Sequence, residues 1–78
     1  MITVNNKKEL KELINQRIEE QGPRCDLNDI DVSRITDMSF LFVSSKFNGD
    51  LSRWDVRNVK NMFGIFYNSP LEGNESDW

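Results

Sequence analysis

The chain has 78 residues, a net charge of −3, one cysteine (Cys25) and no histidine. A chain this short encloses a marginal core unless a staple or a partner helps, and its cysteine and histidine content excludes an intramolecular disulfide, a Cys/His zinc site and imidazole chemistry. The lone thiol suits a reducing compartment, residues 1–8 lack the apolar run of a secretory signal, and no stretch approaches membrane-spanning length; the expectation is a small acidic cytoplasmic protein with no membrane partner.

From the N-terminus, Ile2-Thr3-Val4 predicts a short strand, and Asn6 followed by Glu9 resembles a capping box that starts a helix near Lys7. Leu10, Leu13, Ile14 and Ile18 then recur at spacings of three and four, an apolar stripe that must be covered, with Lys7, Lys8, Lys11 and Glu12 on the wet side. Gly22-Pro23 ends the helix, because Gly tolerates a left-handed closing residue and Pro cannot continue the ladder. Residues 1–24 are therefore expected to be a strand and a capping amphipathic helix.

Beyond them the sequence repeats. An offset of 51 − 27 = 24 pairs Leu27 with Leu51, Asp31 with Asp55, Val32 with Val56, Met38 with Met62, Phe42 with Phe66, Ser45 with Ser69 and Gly49 with Gly73. Ile30/Trp54, Ile35/Val59, Leu41/Ile65 and Phe47/Leu71 keep the apolar frame. The organisation read from this is one domain, 1–78, with repeat 1 at 25–50, repeat 2 at 51–74 and a stub of a third at 75–78. Within a copy, Trp54 and Val56 stand two apart, as on a short strand, and Val59, Met62, Ile65 and Phe66 recur at helical spacing. Asn48-Gly49-Asp50 supplies a turn with Gly at positive φ. Each repeat is thus expected to be strand, turn, short helix, turn. The predicted fold class is an α/β repeat: a short solenoid of two β-strand/short-helix coils whose strands align in a parallel sheet, capped by the N-terminal helix.

The run from Ile35-Thr36-Asp37-Met38-Ser39 through Phe47-Asn48-Gly49-Asp50-Leu51-Ser52-Arg53-Trp54-Asp55-Val56-Arg57-Asn58-Val59-Lys60-Asn61-Met62 resembles the repeat of the BspA-like bacterial surface proteins, relatives of the leucine-rich repeats. The resemblance covers about two thirds of the chain. It implies a small leucine-rich-repeat-like solenoid that binds other macromolecules, with no catalytic residues and no cofactor to carry over. Family members are commonly long secreted arrays, whereas this sequence shows two full copies and no signal.

Candidate chemistry is sparse. The glycines are scattered, so no phosphate loop is visible. Asp26, Asp29, Asp31 and Asp50 offer oxygen ligands for calcium, but Asp31 and Asp55 recur at one position per repeat, and recurrence favours bonding turn amides. Asn58 and Asn61 read the same way. Cys25 beside Arg24 lacks a base. Arg53, Arg57 and Lys60 form a small basic patch near Trp54, too small in an acidic chain for more than weak nucleic-acid binding.

The sequence therefore predicts a non-enzymatic protein–protein interaction module of bacterial or phage character, in its narrowest form a small inhibitor, encoded by a phage or mobile element, that occupies a surface of a host complex. The alternatives are a structural or assembly unit self-associating through its open C-terminal edge as a homodimer, or a weak nucleic-acid binder. Expected contact residues are Asp29, Arg53, Asp55, Arg57 and the edge residue Trp78, with no metal and no cofactor.

Overall fold

The computed structural model describes residues 1–71. Three regular elements are present: β1 (Ile2–Thr3), α1 (Lys7–Gln21) and β2 (Ile30–Asp31). The strands pair parallel, Ile2 opposite Ile30 and Thr3 opposite Asp31. The Ile2 and Val4 amides flank the pairing, donating to the Asp29 and Asp31 carbonyls at 2.9 and 3.3 Å. Parallel strands need a crossover between them, and α1 supplies it.

The helix begins and ends on its own sequence signals. Asn6 is the N-cap: its side chain accepts from the Glu9 amide at 2.9 Å. The Glu9 carboxylate reaches back one residue further than a standard capping box, to the Asn5 amide at 2.9 Å. Such a cap stabilises by about 1 kcal/mol. Gly22, at φ 89°, closes the helix by donating to the Ile18 carbonyl at 2.8 Å, a conformation costly for a residue with a Cβ. Leu10 and Ile14 are buried, and Leu13 and Ile18 pack half-buried against the same core.

Two side chains fasten α1 to the rest of the chain. Arg17 makes a two-pronged contact with Asp29, both N–O distances 2.8 Å, and its Nη1 also donates to the Asp26 carbonyl at 3.0 Å. In the first turn, Lys7 Nζ reaches Asp37 at 3.3 Å and the Ser39 carbonyl and hydroxyl at 3.1 and 3.0 Å. Lys7 is half-buried there, so the expectation that it lies on the wet side is wrong.

The expected α/β repeat solenoid is overturned. Among the described residues the only sheet has two strands, and its partner for β2 is the N-terminal β1, with no strand at 51–56. Among the described residues neither copy contains a short helix: residues 38–45 and 62–69 run as successive turns. The physical reason lies in the backbone. Phe40, Ser44, Gly64 and Asn68 take φ of 55°, 54°, 64° and 55°. A left-handed residue every fourth position stops a helix from propagating, while the i to i+3 bonds it closes keep apolar residues inward at nearly helical spacing. Gly49 is also corrected. It has no positive φ; it is needed for space, because a Cβ there would lie 2.8 Å from the Cys25 carbonyl and the Phe47 ring.

The core runs from α1 through both copies and centres on Phe42, which is fully buried. Its ring stacks on Phe47 at 5.2 Å and Trp54 at 6.1 Å, and lies 5.7 Å from Phe66. Trp54, expected on a strand, is instead a core residue in a turn region, its indole N–H donating to the Leu27 carbonyl at 2.9 Å. Burying side chains of this size contributes roughly 2–3 kcal/mol each. That is how a chain without a staple holds together.

Candidate functional site: exposed aromatics on a ladder of turns

Polar side chains fix the turns, and they do so in pairs 24 residues apart. Asp26 and Asp50 accept from the amides two residues on, those of Asn28 and Ser52, at 2.8 and 2.9 Å. Asp31 and Asp55 accept from Ser33 and Arg57 at 3.0 and 3.3 Å. Asp37 and Asn61 accept from Ser39 and Phe63 at 2.8 and 3.0 Å. Ser45 and Ser69 accept from Phe47 and Leu71 at 3.1 and 3.3 Å. A carboxylate that accepts from an amide is favoured in its charged form. The Ser33, Ser39 and Ser52 amides accordingly hold Asp31, Asp37 and Asp50 below the usual carboxylate range, and for Asp55 the Arg57 side chain leads, with its amide second.

The two runs of turns are bonded side by side. Met38, Phe40, Phe42 and Ser44 donate their amides to the carbonyls of Asn61, Phe63, Ile65 and Tyr67 at 2.8 to 3.2 Å. Side chains add cross-links: Asn58 Nδ2 donates to the Ser33 carbonyl at 2.8 Å and Asn68 Nδ2 to the Ser44 hydroxyl at 3.1 Å. The two runs are thus held by hydrogen bonds both within each turn and across from one run to the other.

On this frame stand exposed aromatics that the core does not use. Phe63 is 74% exposed, Tyr67 61% and Phe40 43%. Phe63 and Tyr67 occupy the second position of two successive turns, Met62 to Ile65 and Phe66 to Ser69. Phe40 meets Phe63 edge to face, centroids 5.6 Å apart at 78°. Phe40 also holds a left-handed backbone, which a bulky side chain rarely adopts. Its counterpart 24 residues on is Gly64, and the Phe40 ring fills the space a Gly64 Cβ would take, 2.5 Å away.

The residues expected to make contacts are dispersed. Asp29 is committed to Arg17, whose guanidinium holds its carboxyl below the ordinary range. Asp55 closes a turn and pairs with Arg57 Nε at 2.9 Å, so the basic patch loses one of its cations to a neighbour. Arg53 is exposed, its amide bonded to Asn28 Oδ1 at 3.2 Å. Trp78, with the stub 75–78, lies outside the described residues. The aromatics Phe40, Phe63 and Tyr67 were missed. A signal existed for two of them: at offset 24 Phe40 pairs with Gly64 and Phe63 with Ser39, so both stand outside the apolar frame that the copies share, whereas Tyr67 pairs with the apolar Val43. Cys25 is buried, and burial pushes its thiol up, away from a reactive thiolate. Among the described residues no group of three or more acidic, Cys or His side chains is placed to hold a metal ion, and no helix is long and apolar enough to cross a membrane.

The family described as "Mycoplasma protein of unknown function, DUF285" matches residues 6–78. The chain belongs to the DUF285 family. No curated protein and no solved structure matches it. In this DUF285 chain the match takes in α1, β2, both runs of turns and the exposed aromatics, so the frame and the candidate surface fall within the family's own extent.

Proposed function

We propose that this DUF285 chain is a non-enzymatic protein-interaction module that contacts its partner through Phe40, Phe63 and Tyr67. The observation that carries the reading is the exposure of three aromatic side chains on a hydrogen-bonded frame. Aromatic anchors on a pre-ordered surface dominate protein interfaces, because they bury much area at little entropic cost. The left-handed backbone of Phe40 supports the same reading. Strain of this kind is retained where a side chain has a job that the fold itself does not require. The resemblance of residues 35–62 to BspA-like repeats points to binding as well. Such a module acts by occupying a surface of its partner, as an inhibitor would.

The test is affinity capture from bacterial lysate with the full chain and with Phe63→Ser/Tyr67→Ser, read by quantitative mass spectrometry. A stoichiometric protein retained by the wild type and lost from the double variant supports the reading. Equal recovery on both, or none on either, contradicts it.

A further inference from the structure

The run of turns at 62–69 presents an outer edge whose chemistry can be read from the inner one. On the inner side the amides of Met38 and Phe40 donate to the Asn61 and Phe63 carbonyls at 2.8 and 3.0 Å. Their counterparts 24 residues on are the amides of Met62 and Gly64, and among the described residues neither has an acceptor. The carbonyls of the same two residues are already engaged, by the amides of Ile65 and Tyr67 at 3.1 and 3.0 Å. At Met62 and Gly64, then, the edge offers donors two residues apart, while their carbonyls are bonded within the turns.

We propose, deepening the protein-interaction reading on which this rests, that this edge binds an extended polypeptide segment of a different protein. The segment runs parallel to residues 61–65 and supplies carbonyls at alternate residues to the Met62 and Gly64 amides. Its side chains lie against Phe63, the exposed residue between the two donors. Strand addition of this kind takes affinity from main-chain bonds and specificity from the flanking side chains.

The occupant follows from the donor pattern. Two copies of this edge cannot face each other, since each would bring amides and no free carbonyls. A second copy meets an obstacle of its own in continuing the ladder in register. The carbonyl that would meet Gly64 is that of Ser39, and the Lys7 side chain, which bonds this carbonyl at 3.1 Å as well as Asp37 and the Ser39 hydroxyl, crowds the oxygen that the incoming amide would need. An acceptor-bearing segment from another protein meets neither obstacle.

The probe is a synthetic peptide of residues 58–69, whose Asn61 and Phe63 carbonyls accept this donor pattern within the fold. It is titrated into the isotope-labelled full chain and followed by amide resonances and hydrogen exchange. The expected result is a saturable shift centred on the Met62 and Gly64 amides, with their exchange slowed at saturation. A semisynthetic chain with glycolic acid in place of Gly64, which deletes that N–H and keeps the side chains, binds about fivefold more weakly, the scale of one hydrogen bond. Trp54 fluorescence reports whether that chain folds; if it does not, the hydroxy-acid analogue at Met62 replaces it, and the wild-type exchange data decide alone if both fail. Absence of saturable change at these two amides overturns the proposal, as does unchanged affinity in a folded ester chain. So does a dimer of the chain alone that protects them. If capture still depends on Phe63 and Tyr67 while the peptide result is negative, the edge is wrong and the parent reading stands.

Discussion

Phe40 and Gly64 fit one another as ring and socket: the edge of the phenyl ring lies 2.5 Å from the point where a Gly64 Cβ would be. Both residues are left-handed, so the same backbone conformation is carried once by the residue built for it and once by an aromatic. Gly64→Ala is expected to lower stability by about 1–2 kcal/mol, because an Ala in this region is strained whatever the space around it. The Phe40 ring, partly exposed, can swing away, so its contact with Phe63 is lost as well. Urea unfolding measures the first effect, and ring-proton shifts of Phe63 the second.

The converse substitution separates binding from folding. Phe40→Gly relieves about 1 kcal/mol of backbone strain and removes an edge-to-face contact of similar size, so stability should stay within about 1 kcal/mol of wild type. Partner binding should nevertheless weaken. A loss of stability beyond about 3 kcal/mol would mean that the ring is a structural residue.

The fork between Arg17 and Asp29 joins α1 to the turn before β2. Because Asp29 is about half exposed, the pair is worth about 0.5–1 kcal/mol. Arg17→Lys should recover little of what Arg17→Met loses, since an ammonium cannot match both carboxylate oxygens. A double-mutant cycle with Asp29→Asn should give a coupling energy in that range.

The turn carboxylates make the fold sensitive to acid. Asp31, Asp37, Asp50 and Asp55 all have their carboxyls held below the ordinary range. Each therefore contributes stability that is complete above the unfolded value, near pH 4, and lost as pH falls through the lower folded value. Asn61 does the work of Asp37 without titrating, accepting from the Phe63 amide at 3.0 Å. Asp31→Asn/Asp50→Asn should keep both turns and move the acid-unfolding midpoint to lower pH, followed by circular dichroism.

In the core, Trp54→Phe removes the indole bond to the Leu27 carbonyl and part of the stack on Phe42. The cost should be roughly 1–3 kcal/mol. Phe42→Ala, at the centre of the aromatic cluster, should cost about 3–5 kcal/mol and leave little folded protein.

These results also show what the sequence could reveal. The helix was legible, with its start near Lys7 and its end at Gly22, because Asn6, Glu9 and Gly22 act locally and their roles do not depend on the rest of the chain. The structural use of Asp31, Asp55 and Asn61 was legible from recurrence, whereas Asn58, whose counterpart is Arg34, bonds the Ser33 carbonyl without a repeated signal. The short helices were not. Val59, Met62, Ile65 and Phe66 repeat at the spacing of a helix, but Gly64 reverses the backbone twist among them and Asn68 does so just after, and no apolar period distinguishes the two cases. The strand expected at Trp54 failed for a related reason: a two-residue alternation also suits an indole turned inward from a turn to reach the Leu27 carbonyl. Of the contact residues expected from the sequence, Asp29 is bonded to Arg17, Asp55 and Arg57 to each other, and Trp78 lies outside the described residues. The exposed aromatics were not legible because nothing in the apolar spacing says that Phe40, Phe63 and Tyr67 face outward while Phe42, Phe47 and Phe66 face inward.

The most direct measurement of the central claim is calorimetric titration of the captured partner with wild-type chain and with Phe63→Ser/Tyr67→Ser, alongside urea unfolding of both. The double variant should bind at least about tenfold more weakly, as loss of interface anchors gives, with an unchanged unfolding midpoint. Equal affinity, with both proteins folded, would contradict it.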